Sequence, residues 1–362
     1  MQKTKKDCNI KLNMHHFEPH ELRRWGTDNP SQVLVSVHGF AGGSEDYARL
    51  AQKLTKTNSG LQVVSYDRKR NPNIKPPRIE GTGAIQANAA ELLIVLGESA
   101  QSDRINKLSL AGHSLGGPII AAAISMVYSH NLPESLSNEQ PRLAQILDHA
   151  PLNLIAPAGF TDAYALMPTS GFAAHSLAKA IFNGAKSIVA DADGPAEFWA
   201  QRQRAIRAAS YLSKFKFSLE ECIDACGPQT MQTFAAGYVN PGNVSIFSYR
   251  NDEIFSSSKI YYRLKNPDIR GTDFAVYEAL KSLNPREAAA LMSHLSLAGT
   301  AGFMALRAAG IFASENEHND PFNAEQEKAL AQIRHITLRG NHTTPLTNEG
   351  ARALAEHIKL AA

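Results

Sequence analysis

The chain has 362 residues, 43% of them hydrophobic and 20% charged, with 37 Lys+Arg against 34 Asp+Glu and a formal net charge of +3. This is ordinary globular composition and excludes wholesale disorder, while so small a charge without a dense basic stripe excludes nucleic-acid binding. The length suits one large α/β domain carrying insertions.

The N-terminal stretch MQKTKKDCNIKLNMHHFEPHELRRWG is basic at its start but has no apolar run behind it, so no cleaved secretory signal is expected. Residues 33–37 (VLVSV) then read as a buried strand ending at His38-Gly39, and residues 61–66 (LQVVSY) as a second ending at Asp67. Between them, residues 44–57 have helical spacing, with Tyr47, Leu50, Ala51 and Leu54 on one face. A helix over 84–96, a strand over 107–110 and an alanine-rich helix over 118–128 follow. Strand, helix and strand in alternation imply right-handed crossovers and a mostly parallel sheet covered by helices on both faces. Residues 152–156 (LNLIA) read as another buried strand. From 159 to 241 the strand signals stop and helical patterns take over, 196–217 among them. Strand patterning returns at 244–249 (VSIFSY), gives way to a second helical stretch over about 272–333, and ends with a strand over 333–338 and a helix from Asn348.

The expected organisation is therefore a core in pieces: 1–158, 242–255 and 333–362, interrupted by helical insertions over 159–241 and 256–332. Both insertions leave from the C-terminal ends of strands, where open α/β sheets keep their sites, so both are expected to act as lids that shape an apolar pocket and exclude water. Residues 288–306 (AAALMSHLSLAGTAGFMAL) lack charges but are diluted by hydroxyls, a histidine and glycines. They read as lid or buried helices rather than a stable membrane span. The expectation is a soluble, cytoplasmic protein, with the note that export without a cleaved signal leaves no mark in a sequence. Cys8, Cys222 and Cys226 are too few for a disulfide framework, and the i,i+4 pair lacks further metal ligands nearby. Packed thiols in a reducing compartment, with no metal site, is the expected state.

The chemistry is concentrated in Gly112-His113-Ser114-Leu115-Gly116-Gly117, between an expected strand and an expected helix. This is a G-x-S-x-G nucleophile elbow. The turn is so tight that glycines are needed two before and two after the serine, whose hydroxyl is exposed at a helix N-terminus. Partial positive charge there favours a developing anion. A second signal, His38-Gly39-Phe40-Ala41-Gly42-Gly43, ends the first strand. A carbonyl under attack needs two N–H donors, one expected from Leu115 and the other from Phe40. A serine hydroxyl also needs a base. Of 13 histidines, His342 in LRGNHTTP stands directly after the last strand, at the same sheet edge as the elbow. The acid that orients it is expected to be Asp252 in YRNDEIF, after strand 244–249, with Glu253 as its neighbouring rival. Asp67, Asp148, Asp191, Asp193 and Asp273 are less well placed.

At these residues the chain resembles the α/β-hydrolase superfamily, especially its esterase, lipase and serine-peptidase-like branches. HGFAGG is similar to the family's oxyanion loop, GHSLGG to its elbow, YRNDEIF to its acid loop and GNH to its histidine loop. The resemblance runs from about Val33 to the C-terminus and implies Ser114 as nucleophile, Asp252 as acid, His342 as base, and Phe40 and Leu115 as backbone donors. Three features depart from it. Tyr249 replaces the acid-loop glycine, Arg68-Lys69-Arg70-Asn71-Pro72 replaces an Arg-Gly-x-Gly turn, and 90 residues separate Asp252 from His342 instead of a short connection.

The expected reaction is acyl transfer to Ser114 and hydrolysis of the acyl-enzyme by water activated at His342, with no metal or organic cofactor. The substrate is expected to be a small acyl ester, of carboxylesterase or lipase type. Phe172, Phe182, Leu291, Met292, Phe303 and Met304 suggest an apolar acyl pocket, or simply lid packing. Arg202, Arg204, Arg207, Lys214 and Lys216 read as a solvated helix face, or as contacts to an anionic head group. Thioesterase, peptidase, acyltransferase and carbon–carbon hydrolase activities share the same machinery. A catalytically silent binding protein on the hydrolase fold is the alternative of another class. Oligomeric state is left open by the sequence.

Overall fold

A computed structural model describes residues 22–39, 42–68, 83–99, 107–160, 229–252, 255, 257–265 and 322–361. Phe40, Glu253, Asp191, Asp193, Asp273, the three cysteines, the stretches 196–217 and 288–306, and the apolar and basic insertion residues named above lie outside the described residues.

Seven strands form one sheet. In chain order they are β1 (Leu22–Gly26), β2 (Gln32–Val37), β3 (Leu61–Tyr66), β4 (Leu108–His113), β5 (Leu152–Ile155), β6 (Val244–Tyr249) and β7 (Arg334–Leu338). In space the order is β1-β3-β2-β4-β5-β6-β7, with β1 antiparallel to β3 and every other pair parallel. The helices are α1 (Ala48–Thr57), α2 (Gly83–Ser99), α3 (Gly116–Tyr128), α4 (Gln140–His149), α5 (Gln229–Ala235), α6 (Ser257–Lys265), α7 (Ala324–Gln332) and α8 (Asn348–Ala355).

Because both faces of the sheet are covered, its central strands are apolar runs instead of alternating patterns. The pleat sorts them. Val33, Val35 and Val37 join a core with residues of α2 and α3, while Leu34 points to the opposite core with Leu50 and Leu54 of α1 and Leu354 of α8. The edge strand β1, LRRWG, keeps Arg23 and Arg24 exposed, a charged border that discourages pairing with another chain.

The topology dictates where a site can form. The chain runs from β2 out to β3 on one side, then crosses back to β4 on the other side of β2, so the C-terminal ends of β2 and β4 flank the point where the strand order reverses. Val37 pairs with Gly112 across this point, and Tyr249 pairs with Leu338 farther along the same edge. The loops after β2, β4, β6 and β7 therefore emerge on one rim. They carry His38-Gly39, Ser114, Asp252 and His342. No helix among the described residues is long and apolar enough to cross a membrane.

Candidate active site

The elbow is built by close backbone approach. Strand β4 continues through Ala111, Gly112 and His113, beyond the expected end at Leu110, because Gly112 and His113 pair with Leu154 and Ile155 of β5. The chain then turns at once into α3, and Ser114 takes a left-handed φ of 53°. A side chain is strained there and persists only where the surroundings hold it. The Ser114 N–H donates to the Ile155 carbonyl (2.8 Å), and the Ser114 carbonyl accepts from Gly117 and Ala158 N–H, both at 3.1 Å. The flanking glycines are required sterically. A Cβ on Gly112 would lie 2.7 Å from the Gly116 carbonyl, and one on Gly116 would lie 2.3 Å from the Val37 oxygen. Strand β2, the elbow and the helix start are thus in backbone contact.

Helix α3 opens with N–H groups that cannot find partners inside the helix. Gly117 returns its N–H to Ser114, and Pro118 has none, which leaves the N–H groups of Leu115 and Gly116 at the head of the helix. Leu115 stands where the sequence places the first oxyanion donor. The loop after β2 lies against the same spot: a Cβ on Gly39 would sit 3.0 Å from Ser114 Cβ.

Strands β6 and β7 bring the acid and histidine loops together. Past their last pair, Arg250 and Asn251 N–H groups donate to the carbonyls of Leu338 and Gly340, both at 2.9 Å, zipping one loop to the other. The Asp252 N–H closes a turn onto the Tyr249 carbonyl at 3.1 Å, so tyrosine serves where the resemblance expected glycine. Tyr249 itself is fully buried, and burial with the nearby Asp252 charge pushes its phenol well above the usual range. Both Asp252 oxygens are engaged: Oδ1 accepts the Phe255 N–H at 2.8 Å and Oδ2 faces His342 Nδ1 at 3.0 Å. The carboxylate is wholly buried, and the imidazole keeps 12% exposure. A carboxylate can only accept, so Nδ1 carries the proton and Nε2 is left as the basic nitrogen.

The histidine loop is stiffened from within. Asn341 Oδ1 accepts from the Thr343 N–H (3.1 Å), Thr343 Oγ1 (3.0 Å) and Thr344 Oγ1 (3.1 Å), while Gly340 takes a φ of 119° that no other residue adopts easily. Phe255 packs its ring edgewise on His342 at 5.3 Å.

His113 joins the halves of the site. Its Nε2–H donates to the His342 carbonyl at 3.0 Å, and the two imidazoles lie 5.0 Å apart. Burial holds the His113 ring neutral, its pKa pushed down to about 3 by desolvation first and by the neighbouring His342 second. The residue before the serine is therefore a neutral strut that seats the histidine loop on the elbow. Ser114 Oγ makes no hydrogen bond to His342 among the described residues, a looseness common before substrate binds.

Of the expected set, Ser114, Leu115, Asp252 and His342 lie on one rim, and Asp252 and His342 are bonded. Asp67 is occupied elsewhere, its Oδ1 accepting the Ser44 N–H at 2.6 Å, and Asp148 pairs with Tyr128 on the surface. The sequence reading missed His113, Phe255 and Asn341. All three stand inside the very motifs that pointed to the site.

A mostly parallel sheet whose strand order reverses at a left-handed serine between two glycines, with a later Asp–His pair on the same rim, decides the class. The chain has the α/β-hydrolase fold. The family model described as "Putative serine esterase (DUF676)" matches residues 27–158, the part that carries both the β2 loop and the elbow. No curated protein matches the chain in sequence. Among solved structures it is similar to a bromoperoxidase from Bacillus anthracis (13% identity, 92% of each chain, TM-score 0.48). It is also similar to an enol-lactonase from Burkholderia xenovorans LB400 (12% identity, 92% of this chain and 93% of that one, TM-score 0.44). An esterase from Exiguobacterium antarcticum is a third (13% identity, 68% of this chain and 82% of that one, TM-score 0.41). At such identities the activity of a neighbour does not transfer to this chain.

Proposed function

We propose that this α/β-hydrolase cleaves small acyl esters through a Ser114-His342-Asp252 triad. The observation that carries the reading is the buried Asp252 carboxylate 3.0 Å from His342 Nδ1, on a loop tied through His113 to the elbow. Asp252 fixes the tautomer that leaves Nε2 able to take a proton and stabilises the imidazolium that forms. His342 Nε2 removes the Ser114 proton as Oγ attacks the acyl carbon. The carbonyl oxygen becomes an oxyanion held by the N–H groups of Leu115 and Phe40. His342 then gives its proton to the departing alcohol, leaving the acyl group on Ser114. Water, deprotonated by the same imidazole, attacks the acyl-enzyme and releases the acid with Ser114 restored. None of these steps calls on a metal or organic cofactor. The family likeness over residues 27–158 favours an ester over other acyl substrates. The insertions over 159–241 and 256–332 are read as lids that select the acyl chain, with an apolar pocket beneath them.

The test is hydrolysis of p-nitrophenyl esters of increasing chain length by the full chain and by Ser114→Ala. The reading predicts turnover with a chain-length optimum, lost in the variant. Equal turnover in both proteins, or none in either, would contradict it, and none in either would favour a binding protein on this fold.

A further inference from the structure

Strand β5 ends beside Ser114, and its last hydrogen bonds there fall out of step. In a parallel ladder a bonded residue donates its N–H to the carbonyl one position before its partner. At its own carbonyl it accepts from the N–H one position after that partner. Leu110, level with Leu152, follows the first half of the pattern, its N–H donating to the Pro151 carbonyl at 2.9 Å. His113 pairs with Ile155, so Ser114 comes level with Ala156. The Ser114 N–H donates to the Ile155 carbonyl at 2.8 Å, still in step. The regular donor to the Ser114 carbonyl would be residue 157, which is proline and has no N–H. The bond comes instead from the Ala158 N–H, at 3.1 Å. One extra residue has entered the loop, a β-bulge opposite the serine.

Ala156 makes the bulge. It is wholly buried and takes a left-handed φ of 43°. Such a backbone is costly for a residue with a Cβ, and more so before a proline, which favours extended backbone at the preceding position. The surroundings hold it there. The Ala156 N–H donates to the Phe247 carbonyl of β6 at 2.6 Å. On the other side Pro157 packs on the elbow: a Cβ on Gly117 would lie 2.8 Å from Pro157 Cβ. The last glycine of Gly112–Gly117, which the nucleophile turn itself does not call for, thus keeps room for this loop.

Ser114 is gripped on both sides. Its N–H is bound to Ile155, and its carbonyl accepts from Gly117 and Ala158, which fills both lone pairs. A Cβ stands in fixed tetrahedral relation to N, Cα and C. Pinning both peptide groups of a residue therefore fixes the direction in which its side chain leaves the backbone. We infer that Ala156 is a positioning residue for the nucleophile: its left-handed turn carries the Ala158 N–H onto the Ser114 carbonyl and so sets the direction of the Ser114 side chain. Strain of this kind persists where the structure around it over-determines it. The inference rests on the proposed reading of Ser114 as nucleophile.

The test uses the full chain with Ala156→Gly, Ala156→Val and Pro157→Ala. In each, three quantities are measured: kcat and KM for p-nitrophenyl butyrate, the rate of Ser114 labelling by a fluorophosphonate, and the thermal midpoint. Glycine adopts a left-handed φ freely, so Ala156→Gly should keep the bulge and a kcat within about threefold of wild type. Valine is a severe outlier at that φ and should force the loop out of the bulge. Pro157→Ala supplies the missing N–H at the regular position and lets the bulge close. Both should lose about 10–100-fold in kcat, the scale of a misplacement near 1 Å, with KM within about threefold. Labelling should slow by the factor by which kcat/KM falls, since both begin with attack by Ser114. The midpoint of Pro157→Ala should stay within about 4 °C of wild type, because relief at Ala156 offsets the lost rigidity of proline. If Ala156→Val does not fold, Pro157→Ala carries the test. Wild-type kcat and labelling in Pro157→Ala would overturn the inference. So would an Ala156→Gly variant as impaired as Pro157→Ala, because packing of the methyl group, not backbone direction, would then be what counts. A wild-type chain with neither turnover nor labelling would remove the reading of Ser114 as nucleophile, and this inference with it.

Discussion

Replacing Asp252 by Asn tests the Asp–His pair through proton direction alone. In the native site Oδ1 accepts the Phe255 N–H at 2.8 Å and Oδ2 accepts from His342 Nδ1 at 3.0 Å. Asparagine has one acceptor and one donor group for these two positions. If its amide NH₂ faced the Phe255 N–H, two donors would meet in a buried site, at a cost of about 1–3 kcal/mol. The favoured orientation keeps the amide oxygen on Phe255 and turns NH₂ toward His342. That drives Nδ1 to be the acceptor and moves the ring proton to Nε2, where it blocks uptake of the Ser114 proton. The expected loss in kcat is about 10⁴-fold, the scale known for the same change in a serine protease triad. The thermal midpoint should move only slightly, because shape is kept. The assay is kcat for p-nitrophenyl butyrate from pH 6 to 9, beside a melting curve. Activity within about tenfold of wild type would refute the pairing argument, because a wrong tautomer cannot sustain it.

Other consequences follow from the same geometry. Ser114 holds its side chain at a φ of 53°, so Ser114→Gly should be more stable than Ser114→Ala by about 1 kcal/mol, with both inactive. Paired urea melts decide this, and an Ala variant at least as stable would mean the elbow is not strained. His113 binds its proton only near pH 3 when folded but near the ordinary histidine value when unfolded. The unfolded chain therefore binds more protons as pH falls below about 6.5, and stability should drop by about 2 kcal/mol between pH 7 and pH 5. His113→Asn should be less stable at pH 7 yet show a flatter acid limb in urea melts. An unchanged acid limb would assign that titration to other groups.

Much of the fold was legible because central parallel strands are apolar runs bounded by abrupt turns. Residues 61–66 and 244–249 were read with the ends the structure gives, and 33–37 fell one residue short of β2. What escaped were elements whose burial is one-sided. Strand β1, LRRWG, exposes its arginines and pairs antiparallel at an edge, so it shows no apolar run. Helix α4, QPRLAQILDH, buries only Leu143 and Leu147, too thin a stripe to separate from a polar loop. The end of β4 was set too early because Gly112 looked like a break, whereas it is an in-register strand residue kept small by Gly116.

The site divides in the same way. Ser114, Asp252 and His342 could be named because each directly follows a strand, and chain order then fixes their edge of the sheet. His113 could not, since its contact depends on which carbonyl the side chain reaches across 229 residues. Spacing in sequence holds no trace of such contacts. Asp67, less well placed because it precedes the elbow in the chain, accepts a loop N–H from Ser44.

The central claim is that Ser114 attacks and His342 drives it. Mass mapping of the protein after reaction with a fluorophosphonate, followed over time in wild type and His342→Ala, tests this most directly. The account predicts a single adduct on the Ser114 peptide, forming at least about 10³-fold more slowly without the imidazole. An adduct on another residue, or an unchanged rate in His342→Ala, would contradict it.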